Sequence, residues 1–330
     1  MRRSLTRLMA ACVLVLASLA VYAVVRNVQP HHQTETSPFR AFNTRSYWNT
    51  PLPLTAPPDP NSTAMIEYIQ ADSRVPYLHL SGATSDGGWG EPTYWVKSTD
   101  PIYDVNETQY ELPPEFKSIR IPAGARPAGT RDSQMTLFDR EAGAVYKLHH
   151  AIYNASKGTW SAGGGAYYYI ASNGLAGRVD GADDLRNQGH RGVPPGVHAV
   201  RWDEIAAGRI DHALKIAINT PSTSHVWPMW KSDGDSLDPD APPQGARIRI
   251  RPSVDLSRFD LSRSALVIAT ALQRYGAVIG DSSGRSASLK VENTVMEGRG
   301  WLWNGVLTPD SLESIPLRYF EIVQLGYRAL

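Results

Sequence analysis

Cysteine is almost absent from this chain, since Cys12 is the only one among 330 residues. A disulfide scaffold and a zinc site built on cysteines are therefore excluded. An excess of either charge is also missing, with 33 Lys and Arg against 32 Asp and Glu. Without a basic field we expect no nucleic-acid partner. Apolar residues make up 42% and charged residues 20% of the chain, which is enough for a packed core and excludes wholesale disorder.

Charged residues are missing from one long stretch near the N-terminus. Residues 8–25 are uncharged, whereas three arginines precede them and Arg26 follows. The run is longer than a usual signal-peptide core and just long enough to span a bilayer. Residues 1–26 are therefore predicted to be a signal peptide or, if uncleaved, an anchor that inserts in the membrane. The charge bias places residues 27–330 outside the cytoplasm, secreted or held at the membrane by the apolar run.

The rest of the chain is predicted to be one β-rich domain after a short linker. Residues 27–37 are polar and lack an apolar period, as linkers do. Over residues 38–330, short apolar and aromatic runs alternate with Gly, Pro, Asn and Asp. This pattern is typical of a β-sandwich or jelly roll with a few short helices. Ten runs are predicted as strands, namely residues 94–97, 118–121, 135–138, 145–149, 166–171, 213–218, 246–251, 277–279, 288–291 and 318–323.

Local patterns predict finer features of this domain. Arg and Ile alternate over residues 247–251, which predicts a strand with Ile facing the core and Arg facing water. Cap residues and apolar spacing predict three helices. These helices are residues 61–70 after the cap Asn61, residues 203–207 before Gly208, and residues 262–275 between the cap Ser262 and Gly276.

Four segments, taken in their order, carry a resemblance to a known group. They are residues 47–51 (YWNTP), 210–214 (IDHAL), 242–247 (PPQGAR) and 274–276 (RYG) with Gly280-Asp281 just after. With these segments the chain resembles a group of secreted bacterial proteins, frequent in actinobacteria, that carry a signal segment and one β-rich domain. The resemblance covers about residues 38–330. It implies export and a single domain, and it implies no catalytic residues.

Several catalytic signatures are absent. The chain has no HExxH, no Gly-x-Ser-x-Gly and no Glu-x-Asp-x-x-Glu. These absences argue against a zinc protease, a hydrolase nucleophile elbow and the commonest jelly-roll glycosidase. Gly163-Gly164-Gly165 lacks the Lys and Ser/Thr of a phosphate loop, so a hairpin or a close backbone approach is predicted there.

Scattered acids and bases remain as catalytic candidates. Glycoside hydrolysis needs two carboxylates about 5 to 10 Å apart across a cleft. A polysaccharide lyase needs a base and a group that neutralises a uronate. Each histidine also has a structural alternative, a hydrogen bond to the backbone. The catalytic candidates are His149, His190, His212, Asp132 and Asp281, and Tyr168 and Arg191 are candidates for substrate contact.

A ligand site is predicted around Trp227 and Trp230. Indole rings can cover the apolar face of a sugar. Asp233 and Asp235, in the polar loop that follows, can accept sugar hydroxyls or bind Ca²⁺. The EF-hand pattern fails because Gln244 stands where the ligand Glu is needed. No cofactor and no metal ligand are therefore predicted, with Ca²⁺ as the alternative to a solvated acidic loop.

These observations together predict an exported carbohydrate-active protein. Export, β-rich architecture, abundant Trp and Tyr and scattered acids and bases favour a hydrolase or lyase that acts on cell-wall or environmental polysaccharide. One alternative is a noncatalytic module that binds glycan or cell wall, which needs the aromatic residues but no acid and base. The other is a structural or interaction protein of the cell envelope.

Overall fold

Two larger β-sheets and three helices make up most of the architecture. A computed structural model describes residues 38–175, 191–194 and 196–328. The predicted signal segment and linker, and with them His190, lie outside the described residues. Within them the helices are α1 (Ser62–Asp72), α2 (Trp202–Ala207) and α3 (Arg263–Arg274). The strands are β1 (His79–Ser81), β2 (Thr93–Trp95), β3 (Ile102–Tyr103), β4 (Asn106–Glu107), β5 (Ile119–Arg120), β6 (Met135–Asp139), β7 (Ala144–His149), β8 (Ile152–Asn154), β9 (Thr159–Ala162), β10 (Gly164–Tyr169), β11 (Leu214–Ile218), β12 (Arg247–Ile250), β13 (Ala277–Ser282), β14 (Ser288–Lys290) and β15 (Phe320–Ile322).

The six-stranded sheet has the order β1-β14-β11-β13-β12-β15. Its pairing is mixed: β1 with β14 and β11 with β13 are parallel, and the other pairs are antiparallel. Helices α1 and α3 cover one face. Ile69 and Ile268 from the helices share a core cluster with Ile216, Ile248 and Leu289 from the strands. The apolar residues of each strand point to this face because side chains alternate along a strand.

The four-stranded sheet has the order β10-β7-β6-β2. Its two faces belong to two different apolar clusters. Leu137 and Tyr146 lie in one of them. Phe138 and Val145, the chain neighbours of Leu137 and Tyr146, lie in the other, together with Val278 of β13. The second face therefore packs toward the side of the six-stranded sheet that the helices leave uncovered.

Two small sheets complete the described fold. One pairs β3 with β5, and the other has the order β4-β9-β8. Phe116 and Trp160 from this region pack in the cluster with Leu137. These sheets thus cover the outer face of the four-stranded sheet.

The predicted mainly β composition with few short helices is confirmed. Each of the ten predicted runs contains a strand, while five short strands (β1, β3, β4, β8 and β9) were not predicted. All three predicted helices are present. The Ser262 hydroxyl accepts a hydrogen bond from the backbone N–H of Ala265 at 3.2 Å, as an N-cap does. Asn61 stands at the N-cap of α1 but donates to Asp240 instead of capping the helix.

The expected wet face of β12 is wrong. Arg247 and Arg249 are 4% and 1% exposed. The guanidinium of Arg247 lies over the ring of Tyr47, and that of Arg249 pairs with Glu321 at 2.7 Å. The segment before α1 covers this face, so the arginines meet protein atoms where alternation alone predicts water.

Within residues 38–175, 191–194 and 196–328, no helix combines the length and the apolar character that crossing a bilayer requires.

Candidate active site

A buried lysine and a carboxylate meet on adjacent strands of the six-stranded sheet. Lys215 lies on β11 opposite Val278, on the face away from the helices. The register of β11 against β13 then shifts, so that Ile216 pairs with Ile279 and Ala217 with Asp281. This bulge leaves Gly280 as the extra residue and turns Asp281 to the face of Lys215. A Cβ on Gly280 would lie 3.1 Å from Cε of Lys215, so glycine leaves room for the lysine chain.

Asp281 joins two cations. Its Oδ2 accepts from Nζ of Lys215 at 2.8 Å, and its Oδ1 accepts from Nη2 of Arg191 at 2.8 Å. The same Nη2 lies 3.2 Å from Oδ2 of Asp233. The side chain of Lys215 is fully buried, whereas those of Asp281 and Asp233 are 20% and 39% exposed. The site is thus closed at the lysine and open at the two carboxylates.

Burial lowers the pKa of the Lys215 amine. Removal from water lowers the pKa of Lys215 to about 8, the charge of Asp281 acts against this shift, and the positive charges of Arg191 and Lys290 add to it. The amine is therefore protonated at neutral pH but loses its proton far more readily than an exposed lysine.

Asp233 is held by donors from three directions. Besides Arg191, the side-chain amide of Gln244 and the hydroxyl of Ser282 donate to its Oδ1, the latter at 3.2 Å. Gln244 is fully buried, so it holds the carboxylate of Asp233 from the protein interior. This arrangement orients Asp233 toward the open side of the cluster.

An exposed indole stands beside this cluster. Trp230 is 43% exposed, and its backbone N–H donates to the carbonyl of Arg191 at 3.4 Å. The neighbouring Gly192 has φ +99° and approaches Cδ1 of Trp230 so closely that a Cβ would lie at 3.4 Å. The fold therefore brings the predicted substrate-binding residues Trp230, Arg191 and Asp233 together with Asp281, a predicted catalytic candidate.

A second buried ion pair lies on the facing sheet. Oε1 of Glu91 accepts from Nζ of Lys147 at 2.5 Å and from the hydroxyl of Thr136 at 2.7 Å. Burial lowers the pKa of Lys147, and the charge of Glu91 opposes that shift. The charge of Asp281 also acts on Lys147, so the two ion pairs share one electrostatic region.

Asp132, His149 and His150 meet where β7 ends. One ligand-capable atom from each lies within 4.8 Å of the others, and Nε2 of His149 is 4.0 Å from Oδ1 of Asp132. Burial and the neighbouring His150 lower the pKa of His149, whereas the charge of Asp132 raises it. The sequence predicted no metal ligands, yet this His–Asp cluster is able to hold an ion.

Of the other predicted site residues, His212 and Tyr168 lie in the core, and Trp227 is partly buried against it. His212 is buried, with Nε2 2.6 Å from Oε1 of Glu204, a structural hydrogen bond. Tyr168 is fully buried and burial raises its pKa strongly, so a ligand from solvent does not reach it. Trp227 packs edge-on against Tyr47 at 4.5 Å. The burial of His212 and Tyr168 argues against direct substrate contact, whereas Trp227 is only partly buried and its predicted role stays a prediction.

Asp235 lies outside this cluster. Among the described residues it forms no ion pair with Arg191, unlike Asp233, and its charge acts on Tyr68. Lys215, Lys147, Glu91 and Gln244 were not predicted. A signal for the two lysines exists, because each stands alone in an apolar strand run, LKIAI and VYKL. A buried lysine in such a run needs a carboxylate partner, which is a clue to a site.

Comparison of the chain with protein-family models, with curated proteins and with solved structures found no match. The resemblance to secreted actinobacterial proteins therefore stays an expectation, and the functional argument rests on the geometry.

Proposed function

We propose that this protein is an exported carbohydrate-active enzyme that hydrolyses a glycan at Asp233 and Asp281. The observation that carries the proposal is the shared Nη2 of Arg191, which contacts one oxygen of each carboxylate at 3.2 and 2.8 Å. Those two oxygens are at most about 6 Å apart, which is close to the spacing of a retaining glycosidase pair. The sequence offered Asp132, Asp233 and Asp281 among its carboxylates and no way to pair them.

The two carboxylates have different surroundings and hence different roles. Asp281 lies between two cations, Lys215 and Arg191, whose positive charges complement its carboxylate. It is the group that attacks the anomeric carbon or stabilises its positive charge. Asp233 is the more exposed of the two and lies at the mouth of the cluster, so it is assigned the proton transfer to and from the glycosidic oxygen and water.

Trp230 supplies the binding surface. The backbone N–H of Trp230 donates to the carbonyl of Arg191, so a sugar ring stacked on the exposed indole lies near the carboxylate pair. The β-sandwich expected from the sequence belongs to the same proposal. The six-stranded and four-stranded sheets are its two layers, and the cluster with Phe138, Val145 and Val278 is the interface.

One observation favours a second candidate function, glycan binding without cleavage. Lys215, Arg191, Gln244 and Ser282 already donate to the two carboxylates. Carboxylates that already accept this many hydrogen bonds are held firmly in position, but they have fewer free lone pairs with which to take up a proton. Ca²⁺ binding by the loop of Asp233 and Asp235 stays a prediction in either case.

The test is a panel of neutral and acidic polysaccharides, with reducing ends and the absorbance of unsaturated uronates as readouts. Hydrolysis by the wild type is expected, and Asp281→Asn should lower kcat/KM by at least about 100-fold, near 2.7 kcal/mol. Asp260 is exposed and lies in the irregular segment before α3, outside the cluster, so Asp260→Asn should leave kcat/KM within about twofold.

The outcomes separate the candidates. Reducing ends that form equally fast with Asp281→Asn would overturn the assigned pair. Binding without new reducing ends would establish the second candidate. Unsaturated uronates would show elimination in place of hydrolysis.

A further inference from the structure

Two consecutive histidines come together at the end of β7, which strand geometry does not normally allow. Neighbouring side chains on a strand point to opposite faces. His150 nevertheless has φ +50°, and its ring stacks on that of His149 with centroids 3.9 Å apart. The left-handed backbone turns His150 back toward its neighbour, so both imidazoles lie on one side of the strand end.

The surroundings hold this uncommon conformation in place. The backbone N–H of His150 donates to the carbonyl of Asp132 at 2.7 Å, and that of Ala151 donates to the carbonyl of Ser133 at 3.0 Å. Ser133 itself has φ +39°. Two non-glycine residues with positive φ facing each other are costly, and such strain persists where the fold enforces it, most often at functional sites.

Glycine on the neighbouring strand end makes room for the histidines. The backbone N–H of Gly163 donates to the carbonyl of His149 at 2.9 Å. A Cβ on Gly163 would stand 2.9 Å from Cβ of His150 and 3.0 Å from its Nδ1. Any other residue at position 163 would therefore push the second imidazole away from the first.

We propose that Asp132, His149 and His150 form a binding site for a divalent transition metal of the zinc class. Two imidazoles and one carboxylate are the donors that such ions prefer over Ca²⁺ and Mg²⁺, which take oxygen ligands. The three ligand atoms lie within 4.8 Å of one another, and all three residues are partly buried. Small side-chain rotations bring them to the bond lengths of about 2.0–2.2 Å that Zn²⁺ requires.

Three protein ligands leave at least one coordination position for water or a substrate oxygen. Structural zinc sites close all four positions with protein, whereas catalytic sites keep one open. The proposed site is therefore of the open kind. It shares no residue with the Asp233 and Asp281 pair, and its metal affinity does not depend on the proposed hydrolysis.

The experiment uses the full-length protein with His31 and His32 replaced by alanine, so that these adjacent histidines cannot bind the ion. The metal-stripped protein is titrated with Zn²⁺ by calorimetry and with Co²⁺ by visible absorbance, whose intensity reports the coordination geometry of the bound ion. The site variants are Asp132→Ala, His149→Ala and His150→Ala. The control is His225→Ala, since His225 is exposed and outside the cluster.

One equivalent of metal should bind to the parent protein and to His225→Ala with equal affinity. Each site variant should bind at least about tenfold more weakly, since it loses one of three ligands. Circular dichroism of each variant shows whether the fold is kept. No saturable binding by the folded parent, or equal binding by folded His149→Ala and His150→Ala, would overturn the proposal.

Discussion

Two groups of charged residues share one face of the six-stranded sheet and differ in what covers them. Lys215 on β11 and Arg247 on β12 both lie opposite Val278 on β13, which fixes them on the same face. Arg249 follows two residues later on β12. Over the arginines the chain before α1 closes the sheet. Over Lys215 lie Asp281 and Arg191, whose side chains are each 20% exposed.

The arginine region is closed and complete. Arg249 donates to Glu321 and to the carbonyls of Pro53 and Ala56, at 2.7, 2.9 and 2.8 Å. Arg247 donates to the carbonyl of Tyr275 at 2.7 Å. Their donors satisfy acceptors of the protein itself, mostly backbone, and these bonds fasten the segment before α1 to the sheet.

The lysine region is open on one side. The partners of Lys215 and Arg191 include the carboxylates of Asp281 and Asp233, which solvent reaches, and Arg191 also donates to the carbonyl of Gly280 at 3.2 Å. Backbone carbonyls cannot exchange protons or leave their place, whereas carboxylates at a surface can do both. Charge on an inner sheet face therefore has a structural or a chemical role according to whether its acceptors are backbone or exposed side chain.

The closed region can be broken by removing one charge. Arg249→Ala should lower the free energy of unfolding by about 3–5 kcal/mol, because Glu321 and two carbonyls lose their donor in a buried place. Urea denaturation measures this loss. Arg251→Ala, at the partly exposed end of the same strand, should change it by less than about 0.5 kcal/mol.

A double variant checks the reason for that loss. Arg249→Met with Glu321→Leu removes both charges and should be more stable than Arg249→Ala alone, because no buried charge is left without a partner. A double variant less stable than the single one would show that the arginine contributes mainly through packing.

In the open region, the buried amine of Lys215 should make the free energy of unfolding depend on pH. The pKa of Lys215 is lowered from 10.5 to about 8 in the folded state, so between these values the unfolded chain binds the extra proton. The stability of the wild type relative to Lys215→Met should therefore rise with pH over this window, by on the order of 3 kcal/mol. Denaturation of both proteins from pH 7 to 10.5 measures the difference. A difference that stays constant across the window would contradict a depressed pKa.

The smallest effect belongs to the rim of the open region. Trp230→Ala should leave the melting temperature nearly unchanged, because the indole is 43% exposed. Glycan affinity should fall several-fold, since stacking contributes on the order of 1 kcal/mol. Trp301 is similarly exposed, at 40%, and Trp301→Ala should change neither quantity. A large loss of stability with unaltered affinity in Trp230→Ala would place this residue in the structural part of the molecule.

Local patterns predicted ten of the strands because the alternation and turn residues that mark a strand involve only a few neighbouring residues. The alternation in residues 247–250 indicated the strand and which way Ile248 and Ile250 point. It could not show that the opposite face is buried, since the covering residues Pro53 and Ala56 are almost 200 positions away. The short edge strands β3, β4 and β8 were missed for a related reason, because two or three residues carry no period.

For the candidate site, too, the sequence predicted some features and not others. Trp230, Arg191, Asp233 and Asp281 were selected by residue type and loop context, and they do meet. Their pairing needed the bulge at Gly280 and the guanidinium of Arg191, neither of which leaves a pattern in the chain. Tyr168 and His212 were selected by the same criteria and are buried, because residue type does not record depth.

The sequence by itself determined the mainly β composition, the position of ten strands and three helices, and the residue types available for chemistry. These follow from side-chain alternation, cap residues and turn residues, which act over a few positions. Only the tertiary structure decided which carboxylates form a pair, which charges are covered, and that His149 and His150 face the same way. Those outcomes depend on contacts between residues far apart in the chain and on single backbone angles, and both are settled when the whole core packs.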